Sequence, residues 1–216
     1  MNVIFLGPPG IGKGTHAEIV AKTYGIPRIS TGEIMREEIK NGTDLGNEAK
    51  TYMDVGELVP DELVIDIFKK RIGQDDCKKG FILDGFPRTV TQAEELESVT
   101  NIDLVVNMVA PNEVIMERIT GRLTCRKCGA IYHIKNIPPR KEGVCDLCGG
   151  ELYQRKDQTK EAVEKRLELY EKRTKPLIEY YENKEILVNV DVEGEKKDVA
   201  KRIDKVMKDF VEKKGV

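Results

Sequence analysis

The feature that most constrains this chain is a glycine-rich turn, Gly7-Pro8-Pro9-Gly10-Ile11-Gly12-Lys13-Gly14-Thr15. It lies between the apolar run Val3-Ile4-Phe5-Leu6 and a segment, Lys13 to Tyr24, whose apolar residues Ala17, Val20 and Ala21 recur at helical spacing. A strand that enters such a turn and leaves it as a helix aims backbone N–H groups and the positive end of the helix dipole at one point, which suits phosphate oxygens. Lys13 stands where its ammonium would reach the outer phosphates of a nucleotide. Gly and Pro in a row also make plain tight turns, but the preceding strand, the lysine and the following helix together favour phosphate binding. The usual form of this loop carries Ser or Thr directly after the lysine, whereas here Gly14 fills that position and Thr15 follows it.

The rest of the chain repeats the same alternation. Arg28-Ile29, Phe81-Ile82-Leu83, Leu104 to Met108 and Ile186 to Val190 read as further buried strands. Helical spacing marks Gly32 to Asn41, Asp61 to Ile72, Gln92 to Glu97, Asn112 to Thr120, Lys160 to Glu182 and Glu195 to Lys213, with Thr31 and Asp61 expected as N-caps. Strands alternating with helices predict an α/β protein with a doubly wound, parallel, five-stranded sheet of the P-loop NTPase kind. Two stretches break the pattern. Thr31 to Val59 is helical without a strand of its own, and Leu123 to Asp157 is rich in Gly, Pro and Cys. With 216 residues, one sizeable core plus small insertions is the expectation. The core is assigned to 1–29, 60–121 and 160–216, with insertions at 30–59 and 122–159, and Glu212 to Val216 is expected to fray.

Lys and Arg number 36 against 38 Asp and Glu, so the net charge of −2 gives no bulk attraction to nucleic acid or to an anionic membrane. No apolar run approaches the roughly 20 residues of a membrane span, and Met1 to Leu6 runs directly into the glycine turn, so a cytoplasmic protein without membrane or nucleic-acid partners is expected. Four of the five cysteines form the pattern Cys125-x-x-Cys128, sixteen residues, Cys145-x-x-Cys148, each pair followed by Gly. That spacing fits a four-thiolate structural zinc site, with disulfides, a redox pair and a nucleic-acid-binding ribbon as rivals. An insertion this short buries too little apolar surface to hold its own shape, and a metal cross-link substitutes for a core. His133 is superfluous as a ligand and reads as a packing residue, and Cys77 has no evident role.

Three stretches now carry a resemblance. Gly12-Lys13-Gly14-Thr15, Ser30-Thr31-Gly32-Glu33-Ile34-Met35-Arg36, and Asp84-Gly85-Phe86-Pro87-Arg88-Thr89 followed by Gln92 resemble the motifs of the nucleoside monophosphate kinases, in the form found in adenylate kinases with a zinc-binding lid. Glu33 replaces the more frequent aspartate, and His16 stands where glutamine is common. The resemblance extends along nearly the whole chain. It implies transfer of the γ-phosphoryl of Mg·ATP to AMP, giving two ADP, without a protein nucleophile, in a chain expected to be monomeric.

By the same resemblance, ATP would be held by Gly10, Ile11, Gly12, Lys13, Gly14 and Thr15 with Arg118, Arg122 and, by looser analogy, Lys196. AMP would meet Thr31, Arg36, the Glu57-Leu58-Val59 backbone, Gly85, Phe86, Pro87, Arg88 and Gln92, with Arg155 and Arg166. Lys13, Arg88, Arg118, Arg122, Arg155 and Arg166 form the implied catalytic set, since phosphoryl transfer is served by cations fixed around the moving charge. Asp84, closing an apolar run, would hold magnesium, its carboxylate acting through water, with a plain capping aspartate as the alternative. On position alone Arg36 would read as a solvated helix residue, whereas Arg88, in a glycine-bearing loop after a strand, already points to a site. Both insertions are expected to close over the nucleotides and exclude water. The rivals are a UMP/CMP or guanylate kinase, against which Gln92 and the lid argue, and a zinc-ribbon nucleic-acid-binding protein, which would need basic and aromatic residues interleaved.

Overall fold

The computed structural model describes residues 1–214. The chain opens with β1 (Asn2–Leu6), α1 (Lys13–Tyr24), β2 (Arg28–Ser30), α2 (Thr31–Asn41), α3 (Asp44–Met53), α4 (Asp61–Ile72), β3 (Phe81–Asp84), α5 (Val90–Val99), β4 (Leu104–Val109) and α6 (Asn112–Thr120). A segment with three short strands follows, β5 (Arg122–Cys125), β6 (Ile131–His133) and β7 (Leu152–Tyr153). The chain then forms α7 (Lys160–Leu169), α8 (Pro176–Glu182), β8 (Leu187–Asp191) and α9 (Lys196–Lys214). Of the tail expected to fray, Glu212 to Lys214 continue α9, and 215–216 lie outside the described residues.

The large sheet is parallel in the order β2, β3, β1, β4, β8, as the alternation of runs implied. Pleating splits the apolar residues of β1 between two cores. Val3 and Phe5 join Val106, Met108, Ile115, Ile119 and Ile203 on one face. Ile4 and Leu6 join Leu83, Phe68, Phe86 and Tyr181 on the other. From β1 the chain crosses to β2 and β3 on one side and then to β4 and β8 on the other, so the loop after β1 emerges at the switch point, where open α/β sheets bind ligands. Strand β8 is an edge. Its Val188 is 37% exposed, and Asn189 accepts a hydrogen bond from Asn107 at 2.7 Å, so the expectation of a fully buried strand fails there for want of a neighbour on one side.

Three local expectations need correction. Thr31 is the first residue of α2, after Ser30, and its hydroxyl donates to the Gly85 carbonyl at 3.2 Å instead of capping. Asp61 is the first residue of α4, after Pro60, and its carboxylate accepts from the Thr89 hydroxyl at 2.9 Å and from Gln92 Nε2 at 2.6 Å. In both cases a tertiary partner outcompetes the local backbone. The single helix expected over Lys160 to Glu182 is interrupted by a wide turn at Tyr170–Thr174, where Lys175 N donates to the Tyr170 carbonyl at 2.8 Å. Pro176 lacks an N–H and its ring would crowd the carbonyl four residues back; the wide turn removes that conflict.

The segment after α6 is an antiparallel sheet in the order β6, β5, β7, with an apolar cluster of Cys125, Tyr132, Cys145 and Leu152. Its strands, Arg122-Leu123-Thr124-Cys125, Ile131-Tyr132-His133 and Leu152-Tyr153, contain no run of aliphatic residues, so the sequence does not mark them. Among the described residues no helix is long and apolar enough to cross a membrane.

Helices α2 and α3 meet at close range: a Cβ on Gly46 would lie 2.3 Å from the Glu38 carbonyl carbon and oxygen. Thr43 caps α3 at this junction, its hydroxyl oxygen accepting from Gly46 N at 3.0 Å. Gly46→Ala should therefore force the helices apart and lower stability by about 1–3 kcal/mol, read as a fall in Tm; an unchanged Tm would refute the close packing.

Candidate active site

The loop joining β1 to α1 has positive φ at Gly7, Gly10 and Gly12, a path side chains other than glycine rarely take. Lys13 folds back over it, its Nζ donating to the carbonyls of Gly7 at 2.7 Å and Pro8 at 2.8 Å. Burial pushes the Lys13 ammonium down to about 7; Asp84 opposes that shift, and Arg88, Arg166 and Arg122 reinforce it. An anion between these cations would restore the charge on Lys13.

The loop after β3 fixes Arg88. Its Nε donates to the Gly85 carbonyl at 2.7 Å, its N–H to Gln92 Oε1 at 2.7 Å, and its carbonyl accepts from Thr174 at 2.9 Å. Thr89 caps α5, its oxygen accepting from Gln92 N at 3.1 Å. Gln92 is thus bound at both ends of its amide, to Arg88 and to Asp61. Arg166, on α7, pairs with Asp157 at 2.8 Å and donates to the Asp157 carbonyl at 3.1 Å. Arg122 opens β5; with the Gln158 amide oriented to satisfy both groups, its oxygen accepts from Arg122 Nε and Nη2 at 2.8 Å each. The Arg155 Nε is buried with no hydrogen-bond partner among the described residues.

These side chains feel one another's charge. Burial first, then Arg155, pushes Arg36 and Arg122 down to about 10 each, and burial followed by Arg166 does the same to Arg88. Lys13, Arg36, Arg88, Arg122, Arg155 and Arg166 outnumber the facing carboxylates Asp84, Asp157 and Glu33. Buried charge of one sign is costly unless a counter-ion joins it, and a chain of phosphates has the right sign and length.

A cavity opens beside this cluster, lined by Lys13, Thr31, Arg36, Glu57, Leu58, Val59, Gly85, Pro87, Arg88, Gln92 and Arg166, together with the apolar Met35, Met53 and Val64. Phe86 turns away from it and stacks on Phe68, with ring centroids 4.7 Å apart. Arg118 and Lys196 also lie apart from it. Arg118 donates to the carbonyls of Ile11 at 3.1 Å and Val192 at 2.9 Å, on the far flank of the phosphate loop. There burial, then Lys196 and Arg118, hold His16 down at about 4. Gly10, Gly12, Gly14 and Thr15 belong to the loop and the first turn of α1. Sequence reading gave Asp61 only a capping role and singled out neither Arg28, Asp157 nor Gln158 as a site residue, because the partners that bring them to the site are not visible from residue type or local spacing.

The four sulfurs of Cys125, Cys128, Cys145 and Cys148 all lie within 4.8 Å of one another. The Cys125–Cys148 and Cys128–Cys145 separations are 3.5 and 3.6 Å, far beyond a disulfide bond. Tetrahedral zinc with bonds of about 2.3 Å sets its thiolates roughly 3.8 Å apart, so the cluster fits the ion. The Tyr132 hydroxyl lies 3.5 Å from Cys145 Sγ and accepts from Asp146 N at 2.8 Å. His133 stays outside the cluster: its Nδ1 accepts from Lys135 N and Asn136 N at 3.1 Å each, and its Nε2 faces the Glu117 carbonyl at 3.0 Å, tying the segment to α6. Cys77 is buried against Arg71 Nη1 at 2.9 Å, remote from the four.

Comparison with known proteins agrees with this geometry. The family model described as adenylate kinase matches residues 5–186. An adenylate kinase of Clostridium tetani is 57% identical over 214 residues, covering 96% of this chain and 98% of that protein. Those of Caldicellulosiruptor saccharolyticus and Archaeoglobus fulgidus are 55% and 54% identical, covering 96% and 95% of this chain and 99% of each relative. Likeness of this extent places the chain in the adenylate kinase family, whose members move a phosphoryl group from ATP to AMP.

Proposed function

We propose that the cleft holds ATP and AMP end to end, with Lys13, Arg88, Arg122, Arg155 and Arg166 around the phosphates and Arg36 on the AMP side. The excess of buried cations over carboxylates carries this reading. An AMP phosphate oxygen bonds to the γ-phosphorus as the bond to the β,γ-bridging oxygen breaks, leaving two ADP. Fixed cations stabilise the charge that spreads over the moving group, so the chain supplies no nucleophile. Asp84, a hard oxygen donor beside the loop, is the residue that would hold, through water, the magnesium that adenylate kinases use with ATP, and that ion would supply further positive charge to the transfer.

Thr31, Glu57 to Val59, Gly85, Pro87 and Gln92 frame the AMP base, with Phe86 buttressing that wall from the core. Gly10 to Thr15, Arg118 and Lys196 serve the ATP side. Residues 30–59 close over AMP and 122–159 over ATP, against a core of 1–29, 60–121 and 160–216. Two contacts support this closure: Lys156 Nζ lies 3.3 Å from Asp54, and Lys165 Nζ lies 2.7 Å from Glu57. Zinc on the four thiolates is structural, since no ligand position remains for water. The protein acts as a cytoplasmic monomer without nucleic-acid partners; the net charge of −2 and the burial of Arg36, Arg88, Arg122 and Arg166 in the cleft support the absence of nucleic-acid partners.

Purified protein given Mg·ATP and, separately, AMP, UMP, CMP or GMP should form diphosphate with AMP above all; no ADP from ATP and AMP would end this reading. Arg88→Ala should lower kcat by roughly 10²–10³-fold with little change in Tm. Cys125→Ala should instead lower Tm by about 4 °C or more while leaving kcat nearly intact at low temperature. The reverse pattern would exchange the two roles.

Lys13 gives a pH signature. Its ammonium sits near 7 in the protein against an ordinary 10.5. A polyphosphate favours the charged form, so above about pH 7 binding takes up a proton and ATP affinity falls as pH rises, by at most about tenfold per unit. Calorimetry at pH 8 in buffers of different ionisation enthalpy should find uptake approaching one proton, absent in Lys13→Met. Zero uptake in the parent would contradict the lowered value.

A further inference from the structure

Arg28, at the start of β2, has no task in the transfer described so far, yet its guanidinium is shared among three carboxylates. Nη1 donates to Asp84 Oδ2 at 2.8 Å, Nη2 donates to Glu33, and Nε lies 3.5 Å from Glu18 Oε2. Strand register explains the reach: in the parallel pair of β2 and β3, Arg28 lies beside Ile82 and Ser30 beside Asp84, so the long side chain leans along the sheet toward the phosphate loop. From the other side the pair packs on the bare Cα of Gly14, the residue after Lys13. A Cβ there would lie 2.9 Å from both Arg28 Nη1 and Asp84 Oδ2, which accounts for glycine where the usual loop carries Ser or Thr. Arg28 and Asp84 are only 14% and 12% exposed, whereas Glu33 and Glu18 are 53% and 47% exposed. The innermost pair is therefore the one least screened by water.

We infer that Arg28 is a positioning residue for Mg·ATP: it holds Asp84 and Glu33 in one orientation beside the phosphate loop and offsets enough of their charge that the divalent ion enters with the nucleotide and not alone. This rests on the reading of Asp84 as the magnesium carboxylate. Three carboxylates around one point would attract a free hard cation through their oxygens. A guanidinium among them lowers that attraction, and its planar fork restrains the carboxylates in a way that a lysine's point charge does not.

The test uses the full, zinc-loaded chain and three variants, Arg28→Gln, Arg28→Lys and Asp84→Asn, with three readouts. These are binding of Mn²⁺ alone, followed by electron paramagnetic resonance without nucleotide; kcat and the KM values for Mg·ATP and AMP as free Mg²⁺ is varied; and Tm. Arg28→Gln should bind Mn²⁺ roughly tenfold more tightly than the parent, lose kcat by a similar factor with KM for AMP unchanged, and become inhibited by excess free Mg²⁺. Arg28→Lys keeps the charge, so it should return Mn²⁺ binding to the weak parental level without restoring kcat in full. Parental Mn²⁺ affinity and kcat in Arg28→Gln, even with a lowered Tm, would reduce Arg28 to a structural tie and overturn the inference. Asp84→Asn separates the two readings. If it keeps parental kcat, the magnesium role of Asp84 fails and the inference fails with it; if it is impaired while Arg28→Gln is not, only the inference falls.

Discussion

The structure depends on a constraint that works against folding: cations of one sign are gathered in a cleft where water screens them poorly. Lys13, Arg88 and Arg122 all have their charged forms disfavoured by burial. Arg166 is held by the Asp157 carboxylate, whereas other members of the cluster are fixed by groups that do not neutralise them. Neutral acceptors serve that purpose, the Gly7 and Pro8 carbonyls for Lys13, the Gly85 carbonyl for Arg88 and the Gln158 amide for Arg122. A carbonyl orients a donor without cancelling its charge, so the potential remains for the substrate.

Those carbonyls are held by the sheet. The loop after β1 is flanked by β3 and β4, and the two apolar cores grip the same strands from both faces. The wide turn before Pro176 has a place in this scheme, because it sets Thr174 to donate to the Arg88 carbonyl. A helix irregularity forced by one proline thus reaches an arginine of the cleft through a single hydrogen bond.

Much of this was legible in sequence, for a physical reason. Strand β1, the glycine turn and α1 are local in the chain, and four of the five strand signals contain three or more consecutive apolar residues, Arg28-Ile29 being the exception. The four cysteines declared themselves by spacing alone, and their sulfurs do converge. What stayed hidden was decided by partners distant in sequence. Asp61 looks like a cap until Thr89 and Gln92 arrive from 28 and 31 residues away. Arg28 looks like a strand end until Asp84 lies beside it, and Gln158 means nothing until Arg122 is its neighbour. The strands of the cysteine-bearing segment mix polar, aromatic and single aliphatic residues, so no apolar run marks them.

The two ends of that segment come together: Gln158 meets Arg122, and Gln154 Nε2 donates to the Thr120 carbonyl at 2.9 Å. Because the chain departs from α6 and returns to α7 at nearly one spot, the intervening stretch behaves as a cassette. A replacement of another length, or one stapled by something other than metal, could be spliced at this seam without re-registering β4 or displacing α7. The trade in such an exchange is narrow, since Arg122 and Arg155 stand at the seam and must be carried across with any new cassette.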